Sequence, residues 1–168
     1  GCSTGEEPYT LAMVLHSYFQ KKAGWQLKIW ATDVNNIILA KAREGIYKKE
    51  AVLNIPYDLL KTYFKMGTGP NQGLFKAKDV LKRMIEFRQI NLNNPSEYPE
   101  DYLNIIFCRN VFIYFDSDTQ NRILNHFHNR LQVGGLLFLG HSESINARHK
   151  DQIGRWRTVK HTIYQRIP

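Results

Sequence analysis

Apolar residues recur with a helical period near the start of the chain. Residues 6–22 begin with two glutamates and a proline and then carry apolar side chains every three or four positions. Acidic residues and proline are typical of a first helical turn, so we expect a helix there. Residues 26–32 alternate and are rich in strand formers, and residues 35–44 are helical and end at Gly45. The chain therefore opens as loop, helix, strand, helix.

The period of the pattern changes over residues 46–88. Pro56 begins a short helical stretch, and residues 66–73 contain three glycines and a proline between two strand-like pieces. This pattern predicts a small antiparallel β-subdomain, inserted over residues 46–88. The strand over residues 74–78 is expected to leave an edge to which an extended peptide could be added.

Strands and helices alternate again after the insertion. Residues 85–90 and 102–108 are strand-like, and residues 119–131 form an amphipathic pattern that Gly134 and Gly135 are expected to end. An apolar strand over 136–139 and a terminal hairpin near 155–159 and 161–166 follow. This order predicts an α/β fold with a doubly wound, mainly parallel, Rossmann-like sheet, whose ligands bind at the carboxyl ends of the strands.

Composition narrows the class of protein. The 168 residues suit one domain, 1–168, and no apolar run is long enough to span a membrane. Two cysteines and no secretory leader predict a cytoplasmic protein. Neither the cysteines nor His126 and His128, which lie two apart on the predicted helix, have metal-ligand spacing, so no metal is expected. A net charge of +8 favours an acidic partner, either nucleic acid or a protein surface, or only a solvated basic face.

The first nine residues form a glycine-bearing turn that leads into a helix, which lets backbone approach a ligand. Glu6 and Glu7 would repel a phosphate but attract a cation. S-adenosylmethionine carries an ammonium and a sulfonium and no phosphate, so it fits this charge pattern. The alternative is that both glutamates only complement the helix dipole.

Polar residues also end three predicted strands. Asp33 stands where nucleotide-binding sheets place an acid for ribose hydroxyls, although aspartate also caps helices. Asn91 and Leu92 could contact the edge and the face of adenine, or simply end a strand. Arg109 follows an apolar strand, and a guanidinium there points to a carboxylate ligand or an internal salt bridge.

Eight motifs together resemble one family, the CheR chemotaxis receptor methyltransferases. The motifs are CSTGEEPY at 2–9, ATD at 31–33, GIY at 45–47, GTGP at 67–70, NL at 91–92, FCRNVFIYF at 107–115, GGLLFLGHSES at 134–144 and TIYQR at 162–166. The resemblance runs the length of the chain. It implies a doubly wound methyltransferase sheet with an inserted antiparallel subdomain, matching the organisation above.

The resemblance also implies an activity and its residues. The expected enzyme is an S-adenosylmethionine-dependent protein-glutamate O-methyltransferase that esterifies chemoreceptor glutamates in chemotaxis signal transduction, leaving S-adenosylhomocysteine. Arg109 and Tyr114 are the expected catalytic residues. The expected cofactor contacts are Gly1, Ser3, Thr4, Gly5, Glu7, Asp33, Asn91, Leu92, Cys108, Arg109 and Asn110. The expected partners are the cytoplasmic helices of chemoreceptors and, at the insertion, a receptor C-terminal tail peptide, with no nucleic acid and no membrane insertion.

The sequence departs from the family at two places. Asn104 replaces an aspartate that usually precedes the FCRN turn, and the N-terminal helical domain and first strand are missing ahead of Gly1. We therefore expect two unpaired sheet edges, and either weak cofactor binding or a need for help in folding. Two alternatives stay open: a truncated, catalytically impaired receptor-binding module, and a nucleic-acid methyltransferase.

Overall fold

A computed structural model describes residues 1–146 and 149–168, in two compact units. We call Cys2–Gln89 the N-terminal unit, and Ile90–Pro168 together with Gly1 the C-terminal unit. The N-terminal unit contains α1 (Glu6–Phe19), β1 (Ile29–Asp33), α2 (Asn36–Glu44), β2 (Ile46–Lys48), α3 (Lys49–Val52), α4 (Tyr57–Tyr63), β3 (Phe64–Met66), β4 (Leu74–Ala77), α5 (Asp79–Lys82) and β5 (Ile85–Gln89). The C-terminal unit contains β6 (Leu103–Cys108), α6 (Ser117–Arg130), β7 (Leu131–Leu139), β8 (Trp156–Lys160) and β9 (Ile163–Arg166).

Two parallel strands support the start of the chain. β1 and β5 pair in parallel from Ile29 opposite Ile85 to Asp33 opposite Gln89. Both α1 and α2 contact these strands, and Ala31 of β1 joins the buried core of the unit. The predicted helix over residues 6–22 is confirmed but ends at Phe19, and the predicted strand begins only at Ile29.

A separate antiparallel sheet follows α2. Its strand order is β2–β4–β3, with Tyr47 opposite Phe75 on one side and Phe64 opposite Ala77 on the other. The predicted antiparallel insertion is therefore present as a sheet, while residues 85–89 pair with β1 instead. The expectation of a free edge along residues 74–78 is wrong, because β4 is the central strand and both of its sides are already paired.

The C-terminal unit is built on a mixed four-stranded sheet in the order β6–β7–β9–β8. β6 and β7 are parallel, and β9 pairs antiparallel with both β7 and β8, which confirms the predicted terminal hairpin. Ile123, Leu124 and Phe127 of α6 are buried in the core of this unit. Within the described residues, β6 pairs with β7 alone and β1 with β5 alone.

The link between α6 and β7 differs from the expectation. Gly134 and Gly135 do not end the helix, since α6 stops at Arg130 and Leu131 already pairs with Leu103. The next pair joins Ile105 to Leu136, so one residue of β6 faces four residues of β7. The two glycines lie in this bulge, and a Cβ on Gly135 would come 3.0 Å from the Asn104 carbonyl oxygen.

No helix in the described ranges, 1–146 and 149–168, is both long and apolar enough to cross a bilayer.

Candidate functional site

The loop before α1 is held by backbone hydrogen bonds to the end of β1. The Cys2 N–H donates to the Thr32 carbonyl at 2.8 Å, and the Gly5 N–H donates back to the Cys2 carbonyl at 3.0 Å. The Ser3 N–H donates to Asp33 Oδ2 at 3.0 Å. Of the predicted cofactor residues, the loop and Asp33 are therefore in direct contact with each other.

Asp33 uses both carboxylate oxygens to organise backbone. Oδ2 accepts from Ser3, and Oδ1 accepts from the Asn35 N–H at 3.1 Å. A carboxylate has about four acceptor positions, so each oxygen keeps one for another donor. The half-buried carboxylate can thus hold the loop and still accept a hydroxyl.

Thr4 is anchored through both its side chain and its carbonyl. Its hydroxyl donates to both Glu6 carboxylate oxygens, at 2.7 and 2.8 Å. Its carbonyl accepts from the Tyr47 hydroxyl at 2.9 Å. Burial is the main cause that raises the pKa of Tyr47, so this hydroxyl stays protonated and can donate. Glu6 therefore stabilises the loop itself, and Glu7 is the half-buried acid beside it.

The Cys2 thiol lies in the same loop and packs against the core of the N-terminal unit. Burial raises the pKa of Cys2 to about 11. The thiolate is the nucleophilic form of cysteine, and little of it is present at neutral pH. Cys2 is therefore a packing residue of the core rather than a nucleophile.

Gly5 makes the sharp entry into α1. Its φ is +95°, and an added Cβ would lie 2.8 Å from the Tyr47 Oη and 3.1 Å from the Ala42 Cβ. Both the left-handed backbone and the crowding exclude a side chain here. The loop conformation therefore depends on glycine at this position.

Replacing Gly5 with alanine is expected to destabilise the fold by about 2–5 kcal/mol, from left-handed strain plus overpacking. Gly24→Ala is the matched control, since Gly24 also has a positive φ of +82° but nothing lies within 4 Å of its Cβ position. Gly24→Ala should lower the free energy of unfolding only by the left-handed strain, about 1–2 kcal/mol. Denaturant unfolding measures both changes. Equal losses in the two variants would mean that Tyr47 and Ala42 do not confine the loop.

In the C-terminal unit, β6 ends at a sharp turn. Cys108 is buried, and Arg109 and Asn110 are exposed immediately after it. Asn110 has a φ of +59°, a left-handed conformation that asparagine tolerates better than most residues. The turn therefore presents Arg109 at the carboxyl end of the strand, as the sequence predicts.

Glu143 was not among the predicted site residues, yet its buried carboxylate holds this turn. Oε2 accepts from the N–H groups of Asn110, at 2.9 Å, and Gly140, at 2.6 Å. Oε1 accepts from the Phe112 N–H at 2.8 Å. The only sequence signal was a glutamate just beyond a core strand, which is weak because solvated loops contain many glutamates.

Tyr114 lies on a one-turn 3₁₀ helix, Phe112–Tyr114, and is 77% exposed. The Gln120 side chain donates to the carbonyls of Phe112 and Phe115, both at 2.9 Å. The backbone of this turn is therefore fixed from α6, while the phenol itself faces solvent.

Asn91 and Leu92 begin the loop that follows β5. Asn91 Oδ1 accepts from the Asn93 N–H at 3.0 Å, so this side chain could offer a cofactor its Nδ2 donor and the second lone pair of Oδ1. The Leu92 carbonyl accepts from the Tyr98 hydroxyl at 2.8 Å, and its side chain packs on the core that contains Cys108. Both residues thus belong to the same unit as the Cys108 turn.

The predicted site residues divide between the two units. Ser3, Thr4, Gly5, Glu7 and Asp33 belong to the N-terminal unit. Those of the C-terminal unit are Gly1, Asn91, Leu92, Cys108, Arg109, Asn110 and Tyr114. In the parts of the chain that the structure describes, no three His, Cys, Asp or Glu residues are grouped as metal ligands would be.

Comparison with known proteins identifies the family. Residues 1–162 match the family described as CheR methyltransferase, SAM binding domain, a description that names the predicted cofactor. The chain is 41% identical over 157 residues to the chemotaxis protein methyltransferase of Klebsiella aerogenes, covering 94% of this chain and 54% of that protein. The corresponding protein of Escherichia coli K12 is 40% identical with the same coverage. The chain thus spans about half the length of the curated relatives it matches.

Similarity to a solved structure supports the assignment of the fold and nothing further. The putative rRNA-methylase from Clostridium thermocellum has a TM-score of 0.52 at 9% identity, covering 99% of this chain and 86% of that one. The predicted Rossmann-like class agrees with this similarity. From the match over nearly its whole length, the chain belongs to the CheR methyltransferase family, as its S-adenosylmethionine-binding domain.

Proposed function

We propose that this chain is the catalytic domain of an enzyme that transfers methyl groups from S-adenosylmethionine to glutamate side chains of chemoreceptors. The observation that carries the proposal is the family match over residues 1–162. The chemistry of the described residues is consistent with it in both units.

The N-terminal unit suits a cationic, phosphate-free cofactor. Asp33 keeps acceptor positions for ribose hydroxyls, and the Glu7 carboxylate stands at the start of α1, where it would attract an ammonium. In the C-terminal unit, Asn91 and Leu92 would hold the base, and Cys108–Asn110 would line the cofactor. When bound, S-adenosylmethionine supplies a methyl group that its sulfonium already activates.

The C-terminal unit suits a carboxylate substrate. A glutamate side chain has a reference pKa of about 4.3 and is ionised at neutral pH, so the enzyme needs no general base. Arg109 is exposed at the end of β6 and would steer and hold one oxygen of the incoming carboxylate, leaving the other to react. Tyr114 would position the substrate through its hydroxyl. The contribution of both residues is orientation, which can supply several kcal/mol.

The antiparallel sheet is proposed as a tether for an acidic receptor tail. Since β4 is central, an added strand would pair with β2 or β3 at the sheet edges. Lys65 and Lys76 are exposed and lie directly opposite each other on paired strands. Like charges in that arrangement repel, and an acidic peptide bound beside them would reduce this repulsion. Lys78 contributes less, because its ammonium donates to the carbonyls of Lys61 and Thr62.

Reversing these two charges tests the tether. In the full-length protein, Lys65→Glu with Lys76→Glu should weaken binding of an acidic receptor-tail peptide at least about tenfold, and added salt should weaken wild-type binding. The matched control reverses two other exposed charges, Lys21→Glu with Lys160→Glu. If the double variant binds the peptide like the control in a fluorescence titration, the tail does not dock on this sheet.

Methyl transfer itself decides between the enzyme and its alternatives. The full-length protein would be incubated with methyl-labelled S-adenosylmethionine and either receptor cytoplasmic fragments or DNA. We expect label on the receptor fragment that mild base releases, as a glutamate methyl ester requires. Label on DNA would establish a nucleic-acid methyltransferase. Receptor binding without label on either substrate would establish a binding module.

A further inference from the structure

We propose that Glu143 is a positioning residue for methyl transfer, fixing the backbone that presents both Arg109 and Tyr114. This inference rests on the proposed function. Its structural basis is one carboxylate, 5% exposed, that accepts three backbone N–H groups from two different loops. Removing a carboxylate from water is costly unless its oxygens are satisfied, and these three donors satisfy them.

The segment that Glu143 holds is short and lies between the two proposed catalytic side chains. Its donors Asn110 and Phe112 flank Val111, directly after Arg109 and just before Tyr114. Asn110 has a left-handed backbone, which most residues avoid and which the bond to Glu143 supports. Glu143 therefore holds the N–H groups of the main chain between both positions, while Gln120 holds the carbonyls of the Tyr114 turn.

Gly140 allows the carboxylate to come this close. A Cβ on Gly140 would lie 2.7 Å from Glu143 Oε2 and 2.8 Å from the Asn110 nitrogen. The Glu143 N–H also donates to the Gly140 carbonyl at 3.0 Å, closing a tight turn after β7. The loop after β7 is thus built around the position of one carboxylate.

The two oxygens of Glu143 accept from different N–H groups, so a variant that replaces one oxygen can separate their effects. Oε2 accepts from Asn110 and Gly140, whereas Oε1 accepts from Phe112 alone. In Glu143→Gln, the amide oxygen should replace Oε2, because that orientation leaves one donor unsatisfied rather than two. The amide –NH₂ then faces the Phe112 N–H, so the turn that carries Tyr114 loses its bond to Glu143 and keeps those from Gln120, while the Arg109 side of the segment stays bound.

The experiment compares kinetics with amide exchange in the full-length protein. For Glu143→Gln we expect kcat for receptor methylation to fall about tenfold or more and the KM for S-adenosylmethionine to change less than about threefold, as loss of orientation alone requires. Hydrogen exchange should show faster exchange at Phe112 and retained protection at Asn110 and Gly140. Glu143→Ala should release all three amides and raise KM as well.

Glu100→Gln is the matched control, because it makes the same chemical change at an exposed glutamate. It should leave kinetics and exchange unchanged. The proposal is overturned if Glu143→Gln keeps the wild-type kcat and Phe112 protection, or if kcat, KM and melting temperature change together as a general loss of structure would produce. If the wild-type protein methylates no receptor fragment, the proposed function fails, and the exchange pattern alone then decides whether Glu143 positions this segment.

Discussion

Replacing Arg109 with alanine is expected to lower receptor methylation by about two to three orders of magnitude, the loss typical for a charged group that orients a reacting partner. The side chain is exposed beyond the buried end of β6, so the melting temperature should change little. Single-turnover assays with saturating cofactor would measure the loss. Arg109→Lys should recover only part of the rate, because a point charge does not replace a planar, two-pronged donor.

Two further variants show whether this loss is specific. Tyr114→Phe should cost less than Arg109→Ala, since only a hydroxyl is removed. Arg83→Ala removes an exposed arginine from the N-terminal unit and should leave the rate unchanged. A normal rate in Arg109→Ala would exclude Arg109 from the reaction, whatever the behaviour of Tyr114→Phe.

Exchanging Asp33 for asparagine is expected to weaken S-adenosylmethionine binding by about 10- to 100-fold, from the loss of hydrogen bonds to a charged acceptor. One oxygen of the carboxylate becomes an –NH₂ group, which faces the N–H of either Ser3 or Asn35 and has no lone pair for a ribose hydroxyl. Calorimetric titration of the full-length protein measures the change, and the exposed Asp58→Asn is the matched control.

A cofactor analogue without ribose hydroxyls separates the two parts of this effect. If Asp33 binds the ribose, the analogue should lose affinity for the wild-type protein but lose little more for Asp33→Asn. Additive losses would show that Asp33 only holds the Ser3 backbone. Equal affinity of wild type and variant for the normal cofactor would remove Asp33 from the site altogether.

The periodic segments were predictable because their burial repeats along the chain. The helix starting at Glu6 and the terminal hairpin follow local pattern rules, and both are present. The end of α6 was not predictable in the same way. Gly134 and Gly135 are common helix terminators, but here Gly134 takes a positive φ of +83° and Gly135 avoids crowding against the Asn104 carbonyl, a contact that only the pairing of β6 with β7 creates.

The strand order and the hydrogen bonds of Glu143 both depend on contacts between residues that are distant in sequence. Nothing near Leu74 indicates that β4 is central, because its neighbours β2 and β3 both precede it in the chain. Glu143 stands 31 residues from Phe112 and 33 from Asn110. The sequence indicates Arg109 because a charged residue directly follows an apolar strand. It does not indicate Glu143, because the backbone N–H groups that donate to this carboxylate lie far away along the chain.

Two tyrosine hydroxyls tie the glycine at the start of α1 and the glycine at the end of α2 to residues distant in sequence. Tyr47 approaches Gly5 and Tyr9 approaches Gly45, each so closely that a Cβ on the glycine would lie within 2.8 Å of the hydroxyl oxygen. These contacts join residues 42 and 36 positions apart, so forming each of them costs the loop-closure entropy of the chain between. α1 can begin from local interactions alone, whereas the loop before it is held by Tyr47 of β2, so ordering that loop is coupled to the docking of β2.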